Sequence, residues 1–220
     1  MKIFSFALTA LPIALLFLCS ACGSDHSDLA TPTPEVTPTP SAQILFSDDF
    51  SDPSSSWDTF ADSTGTAFYE QEWLHIRENE GGSNAKISYA HQSLTDFVLE
   101  VDTTLIYGPD STWHVIECRS NRLYQSYRVE IATNGYYKVT RVNHNTLTAL
   151  KGPTTSTYIN TEAGAINHVR IEFTGSKLIL SINGHKVCEV NDSVFASGDI
   201  GLGIDSAGQS LYTEGAYDNV

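Results

Sequence analysis

Residues 44–220 are predicted to fold as an all-β domain, an antiparallel two-sheet β-sandwich. Three observations predict it. Apolar residues recur with a period of two along many short segments, turn residues separate those segments at near-regular intervals, and no stretch of ten or more residues combines helical spacing with caps.

The alternation is clearest at residues 96–105, where Phe97, Leu99, Val101, Thr103 and Leu105 share one face and Val98, Glu100, Asp102 and Thr104 the other. Such a segment is a half-buried strand. Tyr127, Val129 and Ile131 alternate with Ser126, Arg128 and Glu130 in the same way. Further strands are predicted at 68–76, 84–89, 113–118, 136–142, 168–173, 177–182, 185–190, 199–204 and 212–220. Between them stand Glu80-Gly81-Gly82-Ser83, Asn134-Gly135, Thr174-Gly175-Ser176 and Asn183-Gly184. Asn-Gly is a strong hairpin signal because both central residues of a type I′ turn need positive φ. A strand near 45–50 is expected to pair with the one at 212–220, bringing the domain's ends together. Gly198, Gly201 and Gly203 flank Ile200, Leu202 and Ile204, a spacing that suits a strand closely approached by a neighbouring backbone.

The N-terminus reads as an export signal. Lys2 precedes a mostly apolar run over 3–18 that is interrupted by Pro12 and is short of the roughly 20 residues of a spanning helix. Ser20 and Ala21 then lead into Cys22. The segment Leu18-Cys19-Ser20-Ala21-Cys22-Gly23 resembles the lipobox of bacterial lipoproteins, with Cys19 where that family prefers leucine. The resemblance implies cleavage after residue 21 and lipid on Cys22. The acyl chains would anchor the protein at the outer face of a bacterial membrane or facing the periplasm, each buried methylene contributing about 0.8 kcal/mol. Residues 22–43 form a Pro/Thr-rich linker. Pro32, Pro34, Pro38 and Pro40 favour extended polyproline II, which at about 3.1 Å per residue lifts the domain roughly 60 Å.

The chain carries 26 acidic against 12 basic residues, a formal charge of −14. Removing the signal takes away Lys2 alone among the charges. An acidic surface repels phosphate backbones, so nucleic acid is not an expected partner. Lipid attachment, rather than charge, is left to hold the protein to a membrane.

The C-terminal half, Asn167-His168-Val169-Arg170-Ile171-Glu172-Phe173, Leu178-Ile179-Leu180, Ile182-Asn183-Gly184 and Gly198-Asp199-Ile200-Gly201-Leu202, resembles the closing strands of the concanavalin A-like jelly roll. Laminin G-like modules and the 3-keto-disaccharide hydrolase-type domain have this fold. The opening Leu45-Phe46-Ser47-Asp48-Asp49-Phe50, with Trp57 beyond it, and the closing Tyr217-Asp218-Asn219-Val220 are similar to that group as well. The resemblance spans nearly all of residues 44–220. It specifies a fold more than a function, since one jelly roll hosts lectins, glucanases and structural modules. It also implies a structural calcium near the chain ends, for which Asp48, Asp49, Asp52 and Asp218 offer hard oxygens. The alternative is that these aspartates form turns. No other cofactor is expected.

Glucanases of this fold place three acids on one strand. Here Glu100-Val101-Asp102 lacks the third, so that catalytic pattern is broken. A second constellation is more promising. If residues 113–118 and 124–131 are neighbouring strands, Trp113, Glu117, Tyr124, Arg128 and Glu130 share a face. The aromatics would stack on sugar rings and the charged groups would bond hydroxyls. The plainer alternative is a cross-strand Arg128–acid pair on an exposed sheet. The histidines are scattered without metal-site spacing. Cys118 and Cys188 either bridge or remain two separate buried thiols. The expected function is a non-catalytic module binding carbohydrate or a surface protein. The alternative is a glycan-processing hydrolase of the 3-keto-disaccharide hydrolase type, with Glu117 or Glu130 as base.

Overall fold

A computed structural model describes residues 4–5, 43–79, 85–209 and 212–220. All but residues 4–5 of the predicted signal and almost all of the predicted linker therefore lie outside the described residues, as does the turn at 80–83. Sixteen strands are present and no helix is seen among the described residues: β1 (Phe4–Ser5), β2 (Gln43–Ile44), β3 (Phe60–Asp62), β4 (Gly65–Glu70), β5 (Trp73–Glu78), β6 (Lys86–Tyr89), β7 (Phe97–Tyr107), β8 (Trp113–Ser120), β9 (Gln125–Ala132), β10 (Tyr136–Asn143), β11 (Thr146–Thr155), β12 (Asn167–Thr174), β13 (Lys177–Ile182), β14 (His185–Asn191), β15 (Asp199–Asp205) and β16 (Thr213–Asp218). They form two antiparallel sheets. The larger runs β14-β13-β12-β7-β16-β5-β4-β3, with β1 and β2 attached at β7, and the smaller runs β11-β10-β9-β8-β15-β6.

The period of two places the core. Phe97, Leu99 and Val101 of β7, with Val169, Ile171 and Phe173 of β12, face Ile116 and Cys118 of β8, Tyr127, Val129 and Ile131 of β9, and Ile200, Leu202 and Ile204 of β15. All are buried. Each large side chain removed from water stabilises the sandwich by about 1.5–3 kcal/mol, so the alternation itself drives the two faces together. The other face of the smaller sheet, bearing Glu117, Arg128 and Glu130, is free to build a site.

Several local expectations change. Residues 68–76 are two strands, β4 and β5, turning at Gln71 (φ 52°) and Glu72 (φ 64°). Both central residues are left-handed, as a type I′ hairpin needs, but neither is a residue that advertises it. β11 was not expected. It contains Gly152-Pro153, and proline is tolerated there because β11 is an edge strand. Residues 45–50 form no strand, yet Asp48 N–H donates to the Val220 carbonyl at 2.7 Å and Val220 N–H donates back at 2.8 Å, tying the ends together. Asn183 (φ 50°) and Gly184 (φ 80°) form the expected type I′ turn between β13 and β14. At Asn134-Gly135 only the glycine is left-handed, and its N–H bonds the Ala132 carbonyl.

Cys118 and Cys188 are free, separate, buried thiols. Cys118 lies on β8, inside the smaller sheet, and Cys188 on β14, at the edge of the larger. β14 meets the smaller sheet at β11, three strands from β8. Three strand spacings are roughly 14 Å, twice what a disulfide spans.

Candidate functional site

The free face of the smaller sheet carries a cleft of about 700 Å³. Its floor is the pair of facing residues Glu117 on β8 and Arg128 on β9. Arg128 Nε donates to Glu117 Oε1 at 2.8 Å. Glu117 Oε2 accepts from the Tyr89 hydroxyl at 3.0 Å and from Ser120 Oγ at 2.9 Å. Both carboxylate oxygens are thus engaged, and Glu117 is only 3% exposed.

Tyr89 reaches Glu117 because β15 has no side chains in the way. Tyr89 and Ile87 of β6 pair with Gly201 and Gly203 of β15. A Cβ on Gly201 would lie 2.6 Å from Ile87 Cγ2 and 2.9 Å from Tyr89 Cε1, and one on Gly203 would lie 2.3 Å from the Lys86 carbonyl oxygen. The close approach expected at these glycines is therefore made by β6, partly by backbone and partly by side chains lying across the strand. Burial first, and then the Glu117 charge, push the Tyr89 phenol up, so it stays a neutral donor. Burial works against the Arg128 charge, but Glu117 outweighs it and holds the guanidinium protonated.

The walls come from other elements. Tyr124, 76% exposed, stands on the β8–β9 connection with Arg122, and Leu147, 70% exposed, stands on β11 beside His144 and Asn145. Ile87 and Asp205 line the remaining side. His144 N–H donates to the Tyr124 carbonyl at 2.6 Å, joining the two walls. Arg119, Arg122, Tyr124 and His144 all hold positive φ, between 50° and 72°. Such strain concentrates where a fold must present particular side chains.

Of the residues predicted from sequence, Glu117, Tyr124 and Arg128 come together at the cleft. Trp113 and Glu130 do not line it. Lys138 Nζ sits 4.3 Å over the Trp113 ring and 3.1 Å from Glu130 Oε1, reaching past the small Ala132. One face of the tryptophan ring is thus covered by this ammonium. Burial raises the pKa of Glu130, offset in part by Lys138. Tyr89, Arg122, His144, Leu147 and Asp205 were missed. The one sequence signal among them was the glycine pair opposite Tyr89.

The aspartates near the chain ends act as turn formers. Asp48 Oδ1 accepts the Phe50 N–H, Asp49 Oδ1 accepts Ser51 N–H and Oγ, and Asp52 Oδ1 accepts Ser54 N–H and Oγ. Asp218 bonds Asn219. Among the described residues no group of three or more His, Cys, Asp or Glu is placed to hold a metal ion.

A two-sheet jelly roll with a polar-floored cleft on its smaller sheet defines a concanavalin A-like or galectin-like β-sandwich. Residues 43–220 match the 3-keto-alpha-glucoside-1,2-lyase-like domain, and the chain belongs to that family. No curated protein matches the sequence. Among solved structures, the carbohydrate-binding module CBM66 from Bacillus subtilis is similar with a TM-score of 0.62 and 17% identity, over 76% of this chain and 94% of that one. A Bacillus licheniformis beta-glucanase aligns with a TM-score of 0.61 and 7% identity, over 79% and 95% of the two chains. A Bacillus subtilis protein of unknown function with a galectin-like fold gives 0.60 and 12%, over 80% and 93%. At these identities the likeness is one of fold.

Proposed function

We propose that this protein is a non-catalytic carbohydrate-binding module, presented outside a bacterial cell by lipid on Cys22 and the Pro/Thr-rich linker. The observation that carries the reading is the cleft's division of labour. Exposed Tyr124 and Leu147 offer apolar surface, whereas the floor carboxylate, Glu117, is held by three donors. A carboxylate with both oxygens so engaged is spent as an acceptor and fixes Arg128 in place, leaving the guanidinium Nη groups as donors for sugar hydroxyls. The fold shared with a carbohydrate-binding module supports the reading.

Affinity electrophoresis against a panel of soluble neutral polysaccharides tests it. Wild type and Trp113→Ala, whose site lies outside the cleft, should be retarded alike, while Tyr124→Ala should lose about tenfold in affinity. Equal migration of all three proteins in every polysaccharide would reject it. Lipidation is tested separately by metabolic labelling with an alkyne fatty acid, which should be lost in Cys22→Ser.

Family membership favours a second reading, a glycan-processing enzyme. It requires turnover of a 3-keto-glucoside. If that turnover survives Glu117→Gln and Glu130→Gln, neither is the base, and Asp205 and His144 are the other carboxylate and the imidazole lining the cleft.

A further inference from the structure

His91 follows β6 and stands beside the cleft without lining it. Its Nε2 lies 2.7 Å from Asp58 Oδ1, and its Nδ1 lies 2.7 Å from Arg122 Nη1. A guanidinium has donors only, so Nδ1 must accept, and the ring's single proton sits on Nε2, donated to Asp58. The geometry therefore requires a neutral imidazole. Arg122 lines the cleft on the same connection as Tyr124, and its Nε also faces Asp199 Oδ2 at 3.4 Å, outside hydrogen-bond geometry. Asp199 Oδ1 is taken by the backbone N–H groups of Gln92 and Ile200. His91 is thus the well-formed bond that sets where the Arg122 head sits.

We propose that His91 is the positioning residue for Arg122 at the cleft rim, and that protonating His91 releases Arg122 and weakens glycan binding. The binding clause rests on the carbohydrate reading above. Three charged groups face His91: Asp58 from the segment before β3, Arg122 from the β8–β9 connection, and Asp199 from β15. A second proton on the ring removes the acceptor and sets two cations at hydrogen-bond distance. Asp58 retains the imidazolium, so Arg122 is the group that leaves. His91 and Arg122 are each nearly half exposed, so water screens the repulsion, and the expected loss is about fivefold rather than a hundredfold.

The test uses the full chain and does not depend on knowing the ligand. Long-range ¹H–¹⁵N NMR at about pH 8 should show His91 as the Nε2–H tautomer, and on acidification to about pH 5 the Arg122 side-chain resonances should move together with those of the His91 ring. His91→Asn keeps an acceptor facing Arg122 without a titrating group, and asparagine tolerates the φ of 58° found there. In that variant the Arg122 resonances should be flat with pH. An Nδ1–H tautomer at the higher pH, or Arg122 resonances indifferent to His91, overturns the proposal. In the second arm, a soluble β-1,3-1,4-glucan is the electrophoresis probe. Wild type should bind it about fivefold more weakly at the lower pH, and His91→Asn equally at both. The same pH loss in both proteins refutes the regulation. A chain that retains no glucan at either pH removes the binding clause, while the tautomer and the Arg122 resonances still decide the positioning.

Discussion

The Tyr217 hydroxyl, on β16 of the larger sheet, donates to the carbonyl of Gly203, on β15 of the smaller one, so a buried polar bond crosses the apolar core. Thr103 Oγ1 and His114 Nδ1 make a second such crossing at 2.5 Å. These bonds fix the sheets in one register, and they do so beneath the strand whose glycines admit Tyr89 to the cleft.

Gly203→Ala should therefore be costly. Its Cβ would meet the Lys86 carbonyl and Ile87 at well under contact distance, and backbone cannot yield as a side chain can. We expect a loss of about 2–3 kcal/mol in urea unfolding with an unchanged m-value. Tyr217→Phe, which only leaves acceptors unpaired, should lose about 1–2 kcal/mol. A neutral Gly203→Ala would mean that β6 does not lie where described.

Acid should destabilise the domain from about pH 6.5 downward. His114 is fully buried, and burial lowers its pKa to about 4, below the unfolded value of about 6.5. The unfolded chain thus takes up the proton first. Stability present above about pH 6.5 is lost as the pH falls toward 4, by roughly 3 kcal/mol. Glu214 adds to this at lower pH. Burial opposes its ionisation, but bonds from His75, Arg77 and Tyr212 win and lower its pKa, so its contribution is lost as the pH falls through that folded value. His168 has the opposite sign. Asp102 raises its pKa, so its smaller, solvent-screened contribution is present at low pH and lost as the pH rises through the folded value. Urea midpoints for wild type and His114→Gln between about pH 8 and 4 measure the main effect. The acid slope should flatten in the variant, and an unchanged slope would show that His114 does not govern it.

Neither Cys118 nor Cys188 should react with a thiol reagent in the native state, and reduction should leave the mass of the denatured chain unchanged. Burial pushes both thiols up, which suppresses the reactive thiolate. On unfolding both should react together. A mass gain on reduction and alkylation, but none on alkylation alone, would reveal a bond that the strand order forbids.

The sandwich was legible because the apolar alternation at Phe97–Leu105 and Tyr127–Ile131 states which side chains face inward, and Phe97, Leu99, Val101, Tyr127, Val129 and Ile131 all enter the core, although Val98, Ser126 and Glu130 on the outer face are buried as well. The same alternation placed Glu117 and Arg128 on the outer face, and strand adjacency made them partners. What escaped depended on geometry that sequence spacing does not encode. The Gln71-Glu72 turn carries its left-handed backbone on unremarkable residues. Gly152-Pro153 disguised β11, and with it Leu147. Trp113 looked available because nothing in its own strand says that Lys138, two strands away, covers it. Arg122 and His144 come from connections, where φ rather than periodicity aims the side chain.

The Glu117–Arg128 pair yields the prediction that separates architecture from chemistry. Glu117→Gln keeps the shape but removes the charge that holds a largely covered guanidinium, and it weakens the bonds from Tyr89 and Ser120. We expect a loss of about 2–4 kcal/mol, because a covered cation left without its anion costs more than the pair contributed. Arg128→Met alone should cost a similar amount by stranding the carboxylate. Glu117→Gln combined with Arg128→Met removes both charges, so it should recover part of the loss and give a coupling energy of at least 1 kcal/mol in a double-mutant cycle. Polysaccharide binding should not recover with stability, since the Arg128 donors are gone. Additive stability losses would mean that the two side chains are independently solvated. Restored binding in the double variant would mean that the sugar is held elsewhere, by Tyr124 and the rim alone.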